Sequence, residues 1–387
     1  YPAILESSNN VISGQPFDES TVVSPVWADF QKKVTALDLS EDETARLVNA
    51  GRAALIDAFT PAYQRFMSVI EKQSESASSN DGVWRLPDGD AFYQRLLQWY
   101  TTTDLTADEV HQLGLNNIER IHDQMREIMA QVNFEGSLQE FFVFVRENQS
   151  LRFPNTDEGR EAYLTSARNA LSRMEKKLPD YFGVLPKAEL IVKRVEPFRE
   201  RNAGKAFYQS PPPDGSRPGI FYANLYDMSA MPKTDLEALA FHEGLPGHHL
   251  QRAITAELKG VPDIQRYLSF TAFSEGWGLY TEQLAYEMGF YEDPYSRFGQ
   301  LAMELWRAAR LVVDTGIHSK RWSREEAIDY LVENTPNAEY DCIKAIERYI
   351  AMPGQATAYM IGKLRIVELR EGAKERRGDQ FDIRLRH

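Results

Sequence analysis

Three of the chain's seven histidines fall within eight residues, His242-Glu243-Gly244-Leu245-Pro246-Gly247-His248-His249. His-Glu is half of the zinc motif His-Glu-x-x-His, in which imidazoles one helical turn apart share a metal and the glutamate activates a water. Here the fifth position is Pro246, which cannot ligate. Pro246-Gly247 also interrupts i to i−4 hydrogen bonding, so the spacing predicts a helix break or bulge. Two residues looped out there would let His248 act as the second ligand. His249 is the alternative. Seven residues of unbroken helix span about 10 Å, too far for two nitrogens that each lie about 2.0–2.1 Å from one zinc. Both assignments need the break, and His248 needs the smaller distortion.

A third ligand is expected from another helix. Glu275, in Ser274-Glu275-Gly276-Trp277-Gly278, has an apolar and aromatic neighbourhood that is a poor place for an idle carboxylate. Gly276 and Gly278 would let that helix approach a neighbour closely, at some cost in helix propensity. Glu282 follows Glu275 by two turns on the same face and could hold a ligand histidine through a hydrogen bond. Glu243, directly after a ligand, is the candidate general base for a water whose pKa a Zn²⁺ ion lowers toward about 7. The bland alternative is a His-His pair and a solvated glutamate with no metal role.

Donors to a developing oxyanion are sought downstream. His318 ends Asp314-Thr-Gly-Ile-His318, and Tyr359 follows Pro353-Gly354-Gln355, although a single His or Tyr is more often structural. Arg307 and Arg310 share a helix face and could grip a substrate carboxylate. Ordinary ion pairing is the slightly preferred reading for both. There is no Gly-x-Ser-x-Gly elbow, no cysteine pair and no phosphate loop, and Cys342 reads as inert core.

These residues need helices to position them. Ser40-x-x-Glu43, Thr106-x-x-Glu109, Thr234-x-x-Glu237 and Ser323-x-x-Glu326 have capping-box spacing. Val110, Leu113, Ile118, Ile121, Met125 and Ile128 mark one face of a long helix, with His111 and His122 as ordinary surface or core-edge residues. Residues 74–81 form a polar loop that is expected to be mobile, and a helix is expected from Asp157 to about Leu178. Residues 189–195, 205–209 and 219–224 are short β-favouring runs divided by Pro211-Pro212-Pro213-Asp214-Gly215, which predicts a small sheet before the metal-motif helix. The rest is helical.

The 387 residues carry 57 acidic and 44 basic side chains, a formal charge of −13, which argues against a nucleic-acid ligand and not against a peptide. The single cysteine excludes an internal disulfide. No apolar run approaches the roughly 20 residues of a membrane span. Without an initiator methionine or signal peptide, the chain reads as a processed product or a piece of a longer one.

The motifs resemble those of bacterial domain-of-unknown-function family 885, whose members include lipoproteins and exported hydrolases. The resemblance rests on residues 101–106 with Glu109-Val-His-Gln-Leu-Gly114, then Asp214-Gly-Ser-Arg-Pro-Gly219 with Phe221-Tyr222. The block at 242–249, Ser274-Glu275-Gly-Trp277, Asp314-Thr-Gly-Ile-His318 and Pro353-Gly-Gln355 with Tyr359 complete it. That family is in turn distantly similar to helical gluzincin peptidases such as thimet oligopeptidase and angiotensin-converting enzyme.

The resemblance implies a mainly α, large helical body with a deep central channel, and a zinc site of two histidines and a glutamate. It also implies an exported or lipid-anchored location in the cell envelope. It supports Glu243 as base and His318 and Tyr359 as transition-state donors. It makes 219–224 an edge strand lining the cleft, so that Gly219, Phe221, Tyr222 and Asn224 would meet an extended peptide. The histidine spacing departs from the gluzincin rule, and the chain ends at Phe381-Asp-Ile-Arg-Leu-Arg-His387 where family members usually continue.

The expected protein is a zinc-dependent hydrolase of peptide bonds. It is read as one large helical domain, with a helical part at 1–185, a sheet at 186–230 and a metal-site part at 231–387. The alternatives are a binding or scaffold protein with a structural or lost metal site, and a metal-dependent amidase or esterase on non-peptide substrates.

Overall fold

The computed structural model describes residues 1–387 apart from Phe198, Arg201, Asn202, 213–215 and 386–387, and the side chain of Ala3. Pro213, Asp214 and Gly215 of the expected turn and motif, and Arg386 and His387 at the C-terminal end, therefore lie outside the described residues.

The chain forms two units that divide at Ser79/Asn80, within the polar stretch expected at 74–81. The first unit contains α1 (Pro2–Val11), α2 (Pro25–Thr35), α3 (Glu41–Ala54) and α4 (Thr60–Glu75), with a π-helical turn at Leu55–Phe59 joining the last two. Ser40 caps α3 by accepting from the Glu43 N–H. Among its described residues, Trp27 and Val34 are the buried large apolar side chains.

The second unit begins with α5 (Gly89–Thr101), α6 (Ala107–Gln131), α7 (Leu138–Glu147) and α8 (Asp157–Lys177). β1 (Leu190–Arg194), β2 (Ala206–Gln209) and β3 (Gly219–Ala223) follow. The unit ends with α9 (Lys233–Glu243), α10 (His248–Glu257), α11 (Asp263–Tyr267), α12 (Thr271–Glu287), α13 (Pro294–His318), α14 (Arg324–Asn334), α15 (Glu339–Ala351) and α16 (Ala358–Arg377). The protein is mainly α, as expected.

The apolar face of α6, with Val110, Ile118, Ile121, Met125 and Ile128 buried, packs along α13, so residues 80–185 share a core with the C-terminal half. Leu113 is only half-buried, and Gly114 takes its place against Leu311 and Val312. Reciprocal capping boxes form at Thr106/Glu109, Ser137/Glu140 and Ser323/Glu326. The one expected at Thr234/Glu237 does not. Helix α9 starts after Pro232, the Thr234 hydroxyl bonds Asp235, and Glu237 is drawn away to Arg173 and Ser296. His111 bonds Thr315 and His122 the Asn334 carbonyl, both ordinary packing roles.

A second apolar cluster sits between α8, α9, α12 and the sheet, around Tyr163, Leu171, Phe221, Phe241, Leu245 and Trp277. The strand order is β1-β3-β2, with β1 parallel and β2 antiparallel to β3. The segment expected to form an edge is therefore the central strand. Both edges of β3 are hydrogen-bonded, and Gly219, Phe221 and Tyr222 are buried. The Asn224 amide is spent on the Glu200 and Ala203 carbonyls. None of these four offers a free backbone edge to a peptide. The physical reason is the apolar content of Gly-Ile-Phe-Tyr-Ala, which gains most from burial on both faces.

Candidate metal centre

Helix α9 runs without a break to Glu243, and α10 begins at His248. Between them the Leu245–Pro246 peptide is cis, and the Gly244 and Gly247 backbones take ψ values of −116° and −129°, outside the helical region. Gly247 is pressed onto the end of α9: a Cβ there would lie 1.9 Å from the His242 carbonyl oxygen. The Trp277 indole N–H donates to the Pro246 carbonyl (3.0 Å) and pins the turn to α12. This is the break that the proline predicted, and it turns His248 back beside His242.

His242, His248 and Glu275 each present one ligand atom, and the three atoms lie within 4.8 Å of one another. The two imidazoles are nearly perpendicular (86°), with ring centres 4.8 Å apart. Glu275 Oε2 stands 3.7 Å from His242 Nε2 and 3.5 Å from His248 Nε2. Tetrahedral ligands about 2.1 Å from a zinc ion are separated by about 3.4 Å, so the donor set fits that ion in type and spacing. The Glu275 side chain keeps 22% exposure against 3% and 7% for the imidazoles, so the group opens toward solvent on the glutamate side.

The surroundings favour a cation. Glu282, two turns after Glu275, accepts from His242 Nδ1 at 2.7 Å, which leaves Nε2 as the inward-facing nitrogen. Burial pulls the His242 pKa down, but Glu275, Glu282 and Glu243 outweigh it and raise the pKa to about 9. Burial would raise the Glu275 pKa, yet the two histidines hold it well below the usual carboxylate range. Three carboxylates thus concentrate negative potential on two imidazoles, and Glu243 is itself buried beside them.

The competitor His249 points elsewhere. Its Nε2 meets the Ala188 carbonyl and its Nδ1 the Tyr208 hydroxyl, both at 3.0 Å. A carbonyl requires Nε2 to carry the proton, so Nδ1 accepts from Tyr208. Burial pushes its pKa down to about 4 and keeps the ring neutral. His249 locks α10 to the sheet, and Gly219 is needed there because a Cβ would come within 2.5 Å of Nδ1. The imidazole also lines a cleft of about 620 Å³ between α8 and β1.

His318 is not brought to the centre as a free donor. It is fully buried, its Nδ1 accepts from the Val83 N–H, and its Nε2 bonds the Tyr349 carbonyl. Asp314, one turn earlier, accepts from the Tyr93 hydroxyl (2.6 Å) and the Gly354 N–H (3.0 Å). Asp314-Thr-Gly-Ile-His318 and Pro353-Gly354-Gln355 are therefore two halves of one brace that sets the start of α16.

Tyr359 is half-buried on α16, with the Arg310 guanidinium carbon 4.6 Å and that of Arg307 5.9 Å from its ring centre. Neither arginine forms the expected ion pair with a described residue; Arg307 donates to its own helix at the Met303 carbonyl. Cys342 is buried and its thiol pKa is pushed up, as expected of inert core.

Two contributors were not singled out from the sequence. The Trp277 hydrogen bond and the Tyr208 partner of His249 both depend on how α12 and β2 dock. The nearest signal was the position of Trp277 beside Glu275. Among the described residues, no helix is long and apolar enough to cross a membrane.

The fold recurs in solved structures. A putative lipoprotein from Colwellia psychrerythraea superposes with a TM-score of 0.95 at 37% identity, covering 100% of this chain and 66% of its own. The chain thus spans just under two thirds of that relative. A putative lipoprotein of unknown function from Shewanella oneidensis shares the fold with a TM-score of 0.70 at 17% identity, covering 99% of this chain and 68% of its own. No curated protein matches. With the 242–249 block, the Ser-Glu-Gly-Trp helix and the Asp314/Gly354 brace all in place, the chain matches from residue 1 to 387 the family described as "Bacterial protein of unknown function (DUF885)", and it is a member of that family.

Proposed function

We propose that this protein is a zinc-dependent hydrolase that cleaves peptide bonds. The observation that carries the reading is the three-donor group of His242, His248 and Glu275, half-open on the Glu275 side and flanked by the buried Glu243. His242 Nε2, His248 Nε2 and a Glu275 oxygen would hold the ion. When bound, Zn²⁺ would supply Lewis acidity toward a water and toward the substrate carbonyl. Glu243 takes a proton from the attacking water and returns it to the leaving nitrogen. Glu282 keeps the His242 proton on Nδ1. Tyr359 is the remaining candidate for a hydrogen bond to the developing oxyanion, since both His318 nitrogens are engaged.

A structural zinc would take a fourth protein ligand. Among the described residues the group has three, which favours the catalytic reading over a scaffold. The similarity to the putative lipoprotein from Colwellia psychrerythraea supports a location in the cell envelope.

The test is zinc stoichiometry on the purified protein, followed by a peptide-library assay of wild type and Glu243→Gln. The reading requires about one zinc per chain in both proteins, with turnover only in the wild type. Failure to bind zinc removes the site. Full activity in Glu243→Gln removes the mechanism.

A further inference from the structure

We propose that Arg307 and Arg310, with Tyr359, form a carboxylate-binding subsite for the substrate of this centre; the inference rests on the hydrolase reading for its use, not for its geometry. The two arginines lie one turn apart on α13, where like charges repel. Both are half-buried, and the Nε atom of each is buried with no hydrogen-bond partner. Buried donors left unpaired are uncommon and costly. Several other partly or fully buried cations have carboxylates, Arg120 and Lys363 sharing Glu304, Arg194 using Glu200 and Arg370 using Glu287, while Arg146, Arg152 and Arg297 use carbonyl or amide oxygens. Acidic residues are plentiful in a chain of charge −13, yet the Arg307–Arg310 pair is matched to aromatic rings instead.

Those rings hold the guanidinium groups in place. Arg310 lies 4.6 Å from the centre of Tyr359 and 5.8 Å from that of Tyr349, and Arg307 lies 5.9 Å from that of Tyr359. The Arg310 guanidinium also reaches the Tyr349 and Tyr359 hydroxyls and Arg307 reaches the Met303 carbonyl, so the unpaired Nε edges are what remains for an anion, and two forks one turn apart suit a carboxylate. His318 fixes the Tyr349 backbone and Asp314 fixes the Gly354 turn, so the support is built from the core outward.

The helix that carries Tyr359 packs against the helix that carries Glu275. Gly362 abuts α12 so closely that a Cβ would lie 2.0 Å from the Ala272 carbonyl oxygen and 2.9 Å from the Gly276 Cα, next to Glu275. Tyr359 is one turn before Gly362, a rise of about 4.5 Å along α16. A peptide held at the metal group could therefore present a carboxylate to the arginine pair, from its C-terminus or from an acidic side chain.

The experiment measures binding by calorimetry, without turnover, of three probes to the wild-type protein. They are N-acetyl-trialanine as the free acid, the same peptide as its amide, and N-acetyl-Ala-Ala-Glu amide. At least one carboxylate-bearing probe is expected to bind tenfold or more tightly than the neutral amide, and which one does identifies the source of the anion. That preference should fall to within about twofold in Arg310→Gln and in Arg307→Gln. Equal affinity of all three probes for the wild type overturns the proposal, and so does a preference that survives both substitutions in proteins whose circular dichroism is unchanged. The wild-type comparison needs no variant to fold. A carboxylate preference in a protein that cleaves nothing in the separate peptide-library assay would sink the hydrolase reading alone.

Discussion

The backbone of Gly278 lies against the face of the His242 imidazole: a Cβ at that position would stand 2.6 Å from ring atom Cε1 and 2.7 Å from Nε2. Helix α12 delivers Glu275 to the two histidines His242 and His248, and Glu282 to His242 Nδ1, and it reaches that depth because residue 278 has no side chain. Gly278→Ala should therefore weaken zinc binding by roughly 10–100-fold, the range for disturbing the support of a ligand. In an otherwise open helix the same change stabilises by about 1 kcal/mol. Competition with a chromogenic chelator, read beside the thermal midpoint, checks this. Unchanged affinity would mean that the ring is free to move.

His248 and His249 are adjacent but have separate roles, and substitution should separate them. His248→Ala is expected to abolish stoichiometric zinc binding. His249→Ala should keep zinc affinity within a few-fold while losing about 1–3 kcal/mol of stability, because the Ala188 carbonyl and Tyr208 hydroxyl lose their partner. Equilibrium dialysis and urea denaturation on the same two proteins decide it. The reverse pattern would exchange the assignments.

Glu282 accepts from His242 Nδ1 at 2.7 Å in a fully buried position. Glu282→Gln preserves shape but not charge, and it should reduce zinc affinity by roughly 10–100-fold without removing the metal at saturating concentration. A titration monitored by calorimetry would reveal it. An effect below threefold would assign Glu282 to packing.

Away from the centre, Glu304 joins Lys363 (2.5 Å) and Arg120 in the core between α13, α16 and α6. Burial would raise its pKa, but Lys363 and then Arg120 outweigh that and hold it at about 2. Lys363 is itself lowered, because its burial outweighs the attraction of Glu304, so the pair is worth less than the glutamate shift alone suggests. A carboxyl whose folded pKa is depressed contributes stability that is complete above its unfolded value of about 4.3 and is lost as pH falls toward 2. Glu304→Gln should cost about 3–5 kcal/mol at pH 7, since it leaves Lys363 buried without its main partner. The gap between wild type and variant in urea midpoint should stay constant down to about pH 4.5 and narrow below it. A gap independent of pH would show that the loss is steric.

The sequence by itself determined the local features, because those are governed by the chemistry of neighbouring residues. Pro246-Gly247 dictated that α9 must end, since proline lacks the N–H that a helix needs, and Glu282 fell on the Glu275 face by helical periodicity alone. The three β-favouring runs became β1, β2 and β3, and Thr106/Glu109 and Ser323/Glu326 became caps. The features that required tertiary structure depend on which surfaces meet. Strand order cannot be read from a strand's own residues, so the expected edge at 219–224 proved to be the middle of the sheet. Thr234 and Glu237 had capping-box spacing, but Asp235, Arg173 and Ser296 competed for their side chains. His318 appeared to be a free donor until Val83 and Tyr349 took both its nitrogens. Only the docking of α12 through Gly278, and of α10 through His249, decided which histidine turns toward Glu275.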